Sequence, residues 1–235
     1  MTAGRTCRPE RRREPLSRER IVAAAVELLD TVGEGGLTFR ALAERLSTGP
    51  GAIYWHVTGK AELLAAATDA VVTATLADGT GEGGDGGDPT PQDAIRALAL
   101  GVFDAIDHHP WVGTQLARAP WQTPMMRVFE HTGRQVQALG VPEAARFTAA
   151  SVLLNYVLGV AGQNAENARS APPGTDRTEF VDAAASQWAE LDPEEYAFTR
   201  SVAGQLRRHD DREEFLAGID IILAGITAGR ERAGS

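Results

Sequence analysis

Arg40, Tyr54, His56 and Lys60 fall within the stretch Leu37–Leu64, and all four carry groups that hydrogen-bond phosphate oxygens or base edges. Thr38 adds a hydroxyl. Between them, Pro50, Gly51 and Ala52 offer no hydrogen-bonding side chain, so that part of the stretch suits close approach and apolar contact, as of Ala52 with a thymine methyl. This is the chemistry of gripping a nucleic acid duplex, not of making or breaking a bond. No nucleophile with its base, paired acid and base, or phosphate-cradling loop is recognisable in the chain, so an enzyme is not expected.

Two other constellations suggest chemistry by composition and fail on geometry. Asp107-His108-His109 offers metal-ligating groups, but neighbouring helical positions point apart, and no second cluster at ligand spacing accompanies them. Gly79, Gly81 and Gly84 fit the spacing of a dinucleotide fingerprint. No strand precedes them, no helix opens on them, and nearby carboxylates repel a pyrophosphate. Neither a metal nor a cofactor is expected.

Groups that read a duplex need rigid elements behind them. Thr38 can cap a helix, with Leu37 and Leu42 as a hydrophobic staple across its start. Phe39, Leu42, Ala43 and Leu46 then form one apolar stripe, with Arg40, Glu44 and Arg45 opposite. Ser47-Thr48-Gly49 breaks this helix, and Pro50 presets the first turn of another over 50–57, too short to stand alone and anchored by Ile53 and Val57. Tyr54 is expected to face outwards, while Trp55 is open between packing and contact. A preceding helix over 18–32 starts at Ser17 and carries Ile21, Ala24, Ala25, Leu28 and Val32 inward. A fourth begins at Thr58-Gly59-Lys60, where the single lysine of the chain sits at a helix N-terminus suited to a phosphate. The outline is a helix-turn-helix, whose second helix enters the major groove.

The run Ile53-Tyr54-Trp55-His56-Val57-x-x-Lys60-x-x-Leu63-Leu64 closely resembles the end of the DNA-binding domain of TetR-type (tetracycline-repressor-like) bacterial regulators. The resemblance is specific over residues 17–76 and architectural beyond. It implies DNA contacts from Arg40, from Pro50, Gly51, Ala52, Tyr54 and His56, and from Lys60; Thr38 joins them as a candidate. The chain departs from the family at Ser47, where glycine is usual, and at Gly49, where a polar cap is usual. The resemblance also implies a ligand-responsive repressor that dimerises through two C-terminal helices, with two recognition helices ~34–36 Å apart on a near-palindromic operator. The tetracycline–magnesium site of the namesake cannot be traced here.

Charge is divided unevenly. The net is −9, yet residues 1–60 carry +3 and the remainder −12. Residues 1–20 hold seven arginines against three glutamates, so the arm over 1–16 is expected to be flexible, basic and drawn to phosphates. Cys7 is the only cysteine, which excludes an intramolecular disulfide and fits a reducing cytoplasm. No uninterrupted apolar run reaches the ~18 residues of a membrane span, so no membrane is expected.

Three parts follow: the arm 1–16, a helix-turn-helix domain 17–60, and a larger helical ligand-binding and dimerisation domain 61–235 with a Gly-rich flexible loop at 78–89. Start and stop signals place further helices at 59–77, 90–109, 110–118, 124–139, 142–167, 178–190, 193–208 and 212–229, and no strand-type alternation occurs, so the class is all-α. Leu63, Leu64, Ala67, Val71 and Ala74 are expected on one inward face of 59–77. Proline-broken helices rich in large groups suggest an apolar effector pocket lined by Phe103, Trp111, Trp121, Met125 and Phe129, with His109, His131 and Asn155 as polar contacts. Ser151, Asn155 and Gly159 on one helix, and Phe215, Ile219, Ile222 and Ile226 on another, suggest the dimer interface. The expected partners are double-stranded DNA, a second copy of the chain and a largely apolar small molecule. A ligand-independent activator or adaptor is the alternative, and a helical enzyme with an accessory DNA-binding module a more distant one.

Overall fold

Ser17, Thr38 and Thr90 each start a helix by accepting a hydrogen bond from the backbone N–H three residues on, at 3.3, 3.1 and 3.2 Å. The computed structural model describes residues 15–78, 89–118, 122–170 and 177–233, which include helices and no strands. The arm to residue 14, the Gly-rich segment 79–88, Trp121 and the loop at 171–174 lie outside the described residues. Contacts divide the chain into two compact units, one ending at Ala67 and one starting at Thr68.

The first unit holds α1 (Arg18–Gly36), α2 (Phe39–Leu46), α3 (Pro50–Tyr54) and the start of α4 (Lys60–Asp78). The right-handed run of α1 breaks at Gly33, whose φ of +67° favours a residue without Cβ. Ile21, Ala25 and Leu29 of α1, Leu37, Leu42 of α2, Ile53 of α3, Val57 and Leu63 of α4 are buried as its core. Val32 is exposed, because it follows the last buried turn of α1. On α4, Leu63, Leu64, Ala67, Val72 and Leu76 are buried, whereas Val71 is half-buried and Ala74 exposed. The inward face therefore rotates past the one expected.

The second unit comprises the rest of α4 with α5 (Pro91–His108), α6 (Pro110–Arg118), α7 (Thr123–Ala138), α8 (Glu143–Ser170), α9 (Arg177–Glu190), α10 (Ala197–Leu206) and α11 (Asp211–Ala233). α8 packs against α5, α6, α7 and α11, and α9 packs against α10. By length and composition α8 is apolar enough to cross a bilayer, although Ser151 and Asn155 interrupt its apolar run. α10 starts four residues later than its acidic start signal suggests. Asp192 Oδ1 accepts from the N–H groups of Glu194 and Glu195, but the turn it caps ends at Tyr196, whose dihedrals are not helical.

Two ion pairs fix α11 against α5. Arg212 Nη1 meets Asp104 Oδ1 at 2.5 Å, and Asp220 Oδ1 meets Arg96 Nε at 2.6 Å. The partners step in opposite directions along the two helices, as antiparallel packing requires, and the charges are reversed between the pairs. α8 approaches α11 closely at Gly218, where an added methyl would overlap the Tyr156 hydroxyl. That hydroxyl donates to the Phe215 carbonyl at 3.2 Å. Burial pushes the Tyr156 phenol up, with Glu214 adding to the effect, so it stays a donor.

Candidate nucleic-acid interface

α3 owes its placement to its two ends. Ser47 closes α2 in the left-handed region (φ +52°), its N–H reaching Glu44 O, while Thr48 N–H reaches Ala43 O at 2.9 Å. This pair of bonds is a Schellman motif, and it turns the chain into α3. The glycine-like conformation at Ser47 explains the family's preference there. Gly49 then caps α3 with no side-chain bond, and Pro50 occupies its first turn. The helix spans five residues, shorter than the expected 50–57, because Trp55 to Val57 form a tighter turn with His56 and Val57 N–H both returning to Ile53 O.

The buried Ile53 and Val57 leave the other side chains outward. Tyr54 is 55% exposed although its ring stacks on Phe39 of α2, centroids 4.4 Å apart and planes 7° from parallel. That contact joins Thr38 and Arg40, which flank Phe39, to the α3 surface, and Pro50 and Gly51 are exposed there too. Ala52 and His56 are half-buried. Arg40 Nε donates to Glu44 Oε1 at 3.1 Å in an exposed pair, worth at most about 1 kcal/mol and readily exchanged for a phosphate. Lys60 Nζ donates to the Glu34 carbonyl at 2.5 Å, so the ammonium also secures the end of α1.

Trp55 is 89% exposed. The sequence leaves it open between packing and contact, and its bare indole beside Tyr54 adds it to the candidate contacts. Nothing in its apolar character signals this; only the count of groups that Ile53 and Val57 leave outside could have.

The expected effector site fares differently. α5, α7 and α8 line a partly open pocket of about 10 Å³ whose walls include Leu98, Val102, Val128, Thr132, Leu153 and Val157. Of the pocket candidates described, Phe103, His109, Trp111, Met125, Phe129, His131 and Asn155, none lines it. Phe103 is instead buried against Phe215 of α11, centroids 4.6 Å apart, and Trp111 is buried beside the His109 ring. Met125 and Phe129 are half-buried, Phe129 beside Phe147; His131 Nδ1 lies 2.9 Å from the Arg127 carbonyl; Asn155 is exposed. Phe103 and Trp111 fill the core against neighbouring rings, and the leftover space lies between aliphatic groups. The interface expectation also needs correcting at Phe215 and Ile219, which are fully buried within their own chain, with Ile222 and Ile226 half-buried. On the opposite side of α11, Ala217, Ile221, Ala224, Gly225 and Ala228 are exposed, as are Val152, Asn155 and Gly159 of α8; Ser151 is half-buried.

Residues 21–67 match the bacterial regulatory proteins of the tetR family, and residues 84–230 match the tetracyclin repressor-like C-terminal domain. The solved structure of the transcriptional regulator SCO7222, a TetR from Streptomyces coelicolor, is 62% identical and aligns over 92% of this chain and 100% of that one, with TM-score 0.82. An HTH-type transcriptional regulator of Saccharopolyspora erythraea is 33% identical over 159 residues, 65% of this chain and 64% of that protein. This chain thus spans less than two thirds of that relative's length. The TetR family protein ActR of Streptomyces coelicolor, solved in complex with actinorhodin, shares the fold at 24% identity and TM-score 0.71, over 92% of this chain and 99% of that one.

Proposed function

We propose, on the premise that this chain belongs to the TetR family of bacterial regulatory proteins and is a DNA-binding transcriptional regulator, that it is a dimeric repressor released from a near-palindromic operator by a small apolar molecule. The observation that carries the DNA contacts is the outward set Thr38, Arg40, Pro50, Gly51, Tyr54, Trp55 and Lys60, held on α2, α3 and the start of α4 by buried Leu42, Ile53, Val57 and Leu63. Ala52 and His56 complete it at the margin. A bacterial regulator of this kind works in the cytoplasm, where its DNA is.

The exposed faces of α8 and α11 support a second copy of the chain as partner. Ile221, 74% exposed, stands among Ala217, Ala224, Gly225 and Ala228, small groups that let another helix approach. The aliphatic walls around Thr132 support an uncharged effector, since among the described residues no titratable side chain lines that space. A void of about 10 Å³ holds no more than a water. That observation favours a second reading, a regulator that needs no ligand.

One experiment addresses these readings in order. The full-length protein selects duplexes from a random pool, and the selected duplex is footprinted. The expected result is a two-fold symmetric footprint that Arg40→Ala or Tyr54→Ala weakens by about 1–3 kcal/mol. Uniform weak binding without protection overturns the DNA contacts proposed. Release of that duplex by uncharged apolar compounds supports the effector, and failure of all of them favours the ligand-independent reading.

A further inference from the structure

A five-residue helix anchored by one buried isoleucine cannot fix its own orientation. The Schellman turn holds the entry to α3. Its exit is held by a different device, built from the first residue of α1 and the first turn of α4. Arg18 Nη1 donates both to the His56 carbonyl, at 2.7 Å, and to Glu62 Oε1, at 2.8 Å. The second oxygen of Glu62 accepts from the Thr58 N–H at 2.8 Å and the Thr58 hydroxyl at 2.7 Å. One carboxylate therefore spans the turn between α3 and α4, and one guanidinium ties that turn to α1.

The geometry points to Arg18 and Glu62 as positioning residues that set the angle of α3 for operator binding, with Arg18 spent inside the domain rather than on a phosphate. This inference rests on the DNA-binding reading above. It separates Arg18 from the other arginines of the basic N-terminal stretch, which composition alone groups together. It also predicts a sign that simple electrostatics reverses. Removing a carboxylate from a surface that approaches phosphates ordinarily tightens binding. Here it loosens the element that reads the groove, and binding weakens.

The test uses the full-length protein and the duplex it selects from a random pool, titrated across a salt series. Glu62→Ala and Arg18→Ala are each expected to weaken binding about tenfold, the scale of removing one charge-assisted hydrogen bond, while the slope of log K against log salt stays at the wild-type value. A Glu62→Ala protein that binds as tightly as wild type, or tighter, overturns the inference. So does a salt slope that shrinks by about one for Arg18→Ala, as it would if the guanidinium neutralised one phosphate in the complex. Hydrogen exchange on the free protein gives a readout independent of DNA. Amides of His56, Val57 and Thr58 are expected to exchange several-fold faster in both variants, with those of Ala24, Ala25 and Leu28 unchanged. Unchanged exchange at 56–58 overturns the positioning role. Faster exchange together with a wild-type protein that selects no duplex keeps the positioning role and refutes the DNA reading.

Discussion

Single residues here do their work through the backbone groups they satisfy. The Thr58 N–H, then its hydroxyl, then Arg18 hold the Glu62 carboxyl down from 4.5 to about 2. A depressed carboxylate stabilises the fold above its ordinary range, and that contribution is lost as pH falls through about 2. Wild type and Glu62→Ala should therefore differ in stability at pH 7 and converge towards pH 2, with acid unfolding followed by helicity as the measurement. Ser47 offers the opposite case, a residue with a Cβ in left-handed backbone. Ser47→Gly should raise stability by about 1 kcal/mol, read as a higher denaturation midpoint at unchanged m. The Thr38 cap and the Ile53 and Val57 anchors were legible in the sequence because each depends on residues within one turn. Arg18 was not, because its acceptors lie across the domain and a basic run gives no sign of which arginine is tied to other elements.

Helices show the same divide between local and distant information. Their existence and most of their starts followed from caps and prolines. The apolar stripe of α11 was legible as a buried face, but periodicity says only that a face is covered and never by what. Phe215 goes to Phe103 and to Tyr156, whose ring lies 5.6 Å away, so the surplus apolar surface belongs to the other side, at Ile221. The close approach at Gly218 yields a direct check. Gly218→Ala should cost about 1–3 kcal/mol by overpacking against Tyr156, lowering Tm by several degrees in a thermal scan. The reversed ion pairs of α5 and α11 act as a register mark. A double-mutant cycle on Arg96 and Asp220 should return a coupling of about 0.2–1 kcal/mol.

At the scale of the whole molecule, the dimer proposed above is what a two-fold symmetric operator would require. Ile221→Glu places a charge on the exposed face of α11, and sedimentation should then report a monomer at micromolar concentration, with the symmetric footprint abolished. The overall class and the DNA-reading end were legible because family-like residues cluster in one short stretch. The lining of the small pocket was not, since which large side chains pack together and which leave a gap is decided by three-dimensional packing. That gap has a consequence in time rather than in affinity. A space that holds about one water would admit an effector of the proposed kind only if Leu98, Leu153 and their neighbours moved apart. Such an effector would wait for that separation, so its observed binding rate would level off as its concentration rises, and its apparent affinity would scale with the fraction of time the side chains stand apart.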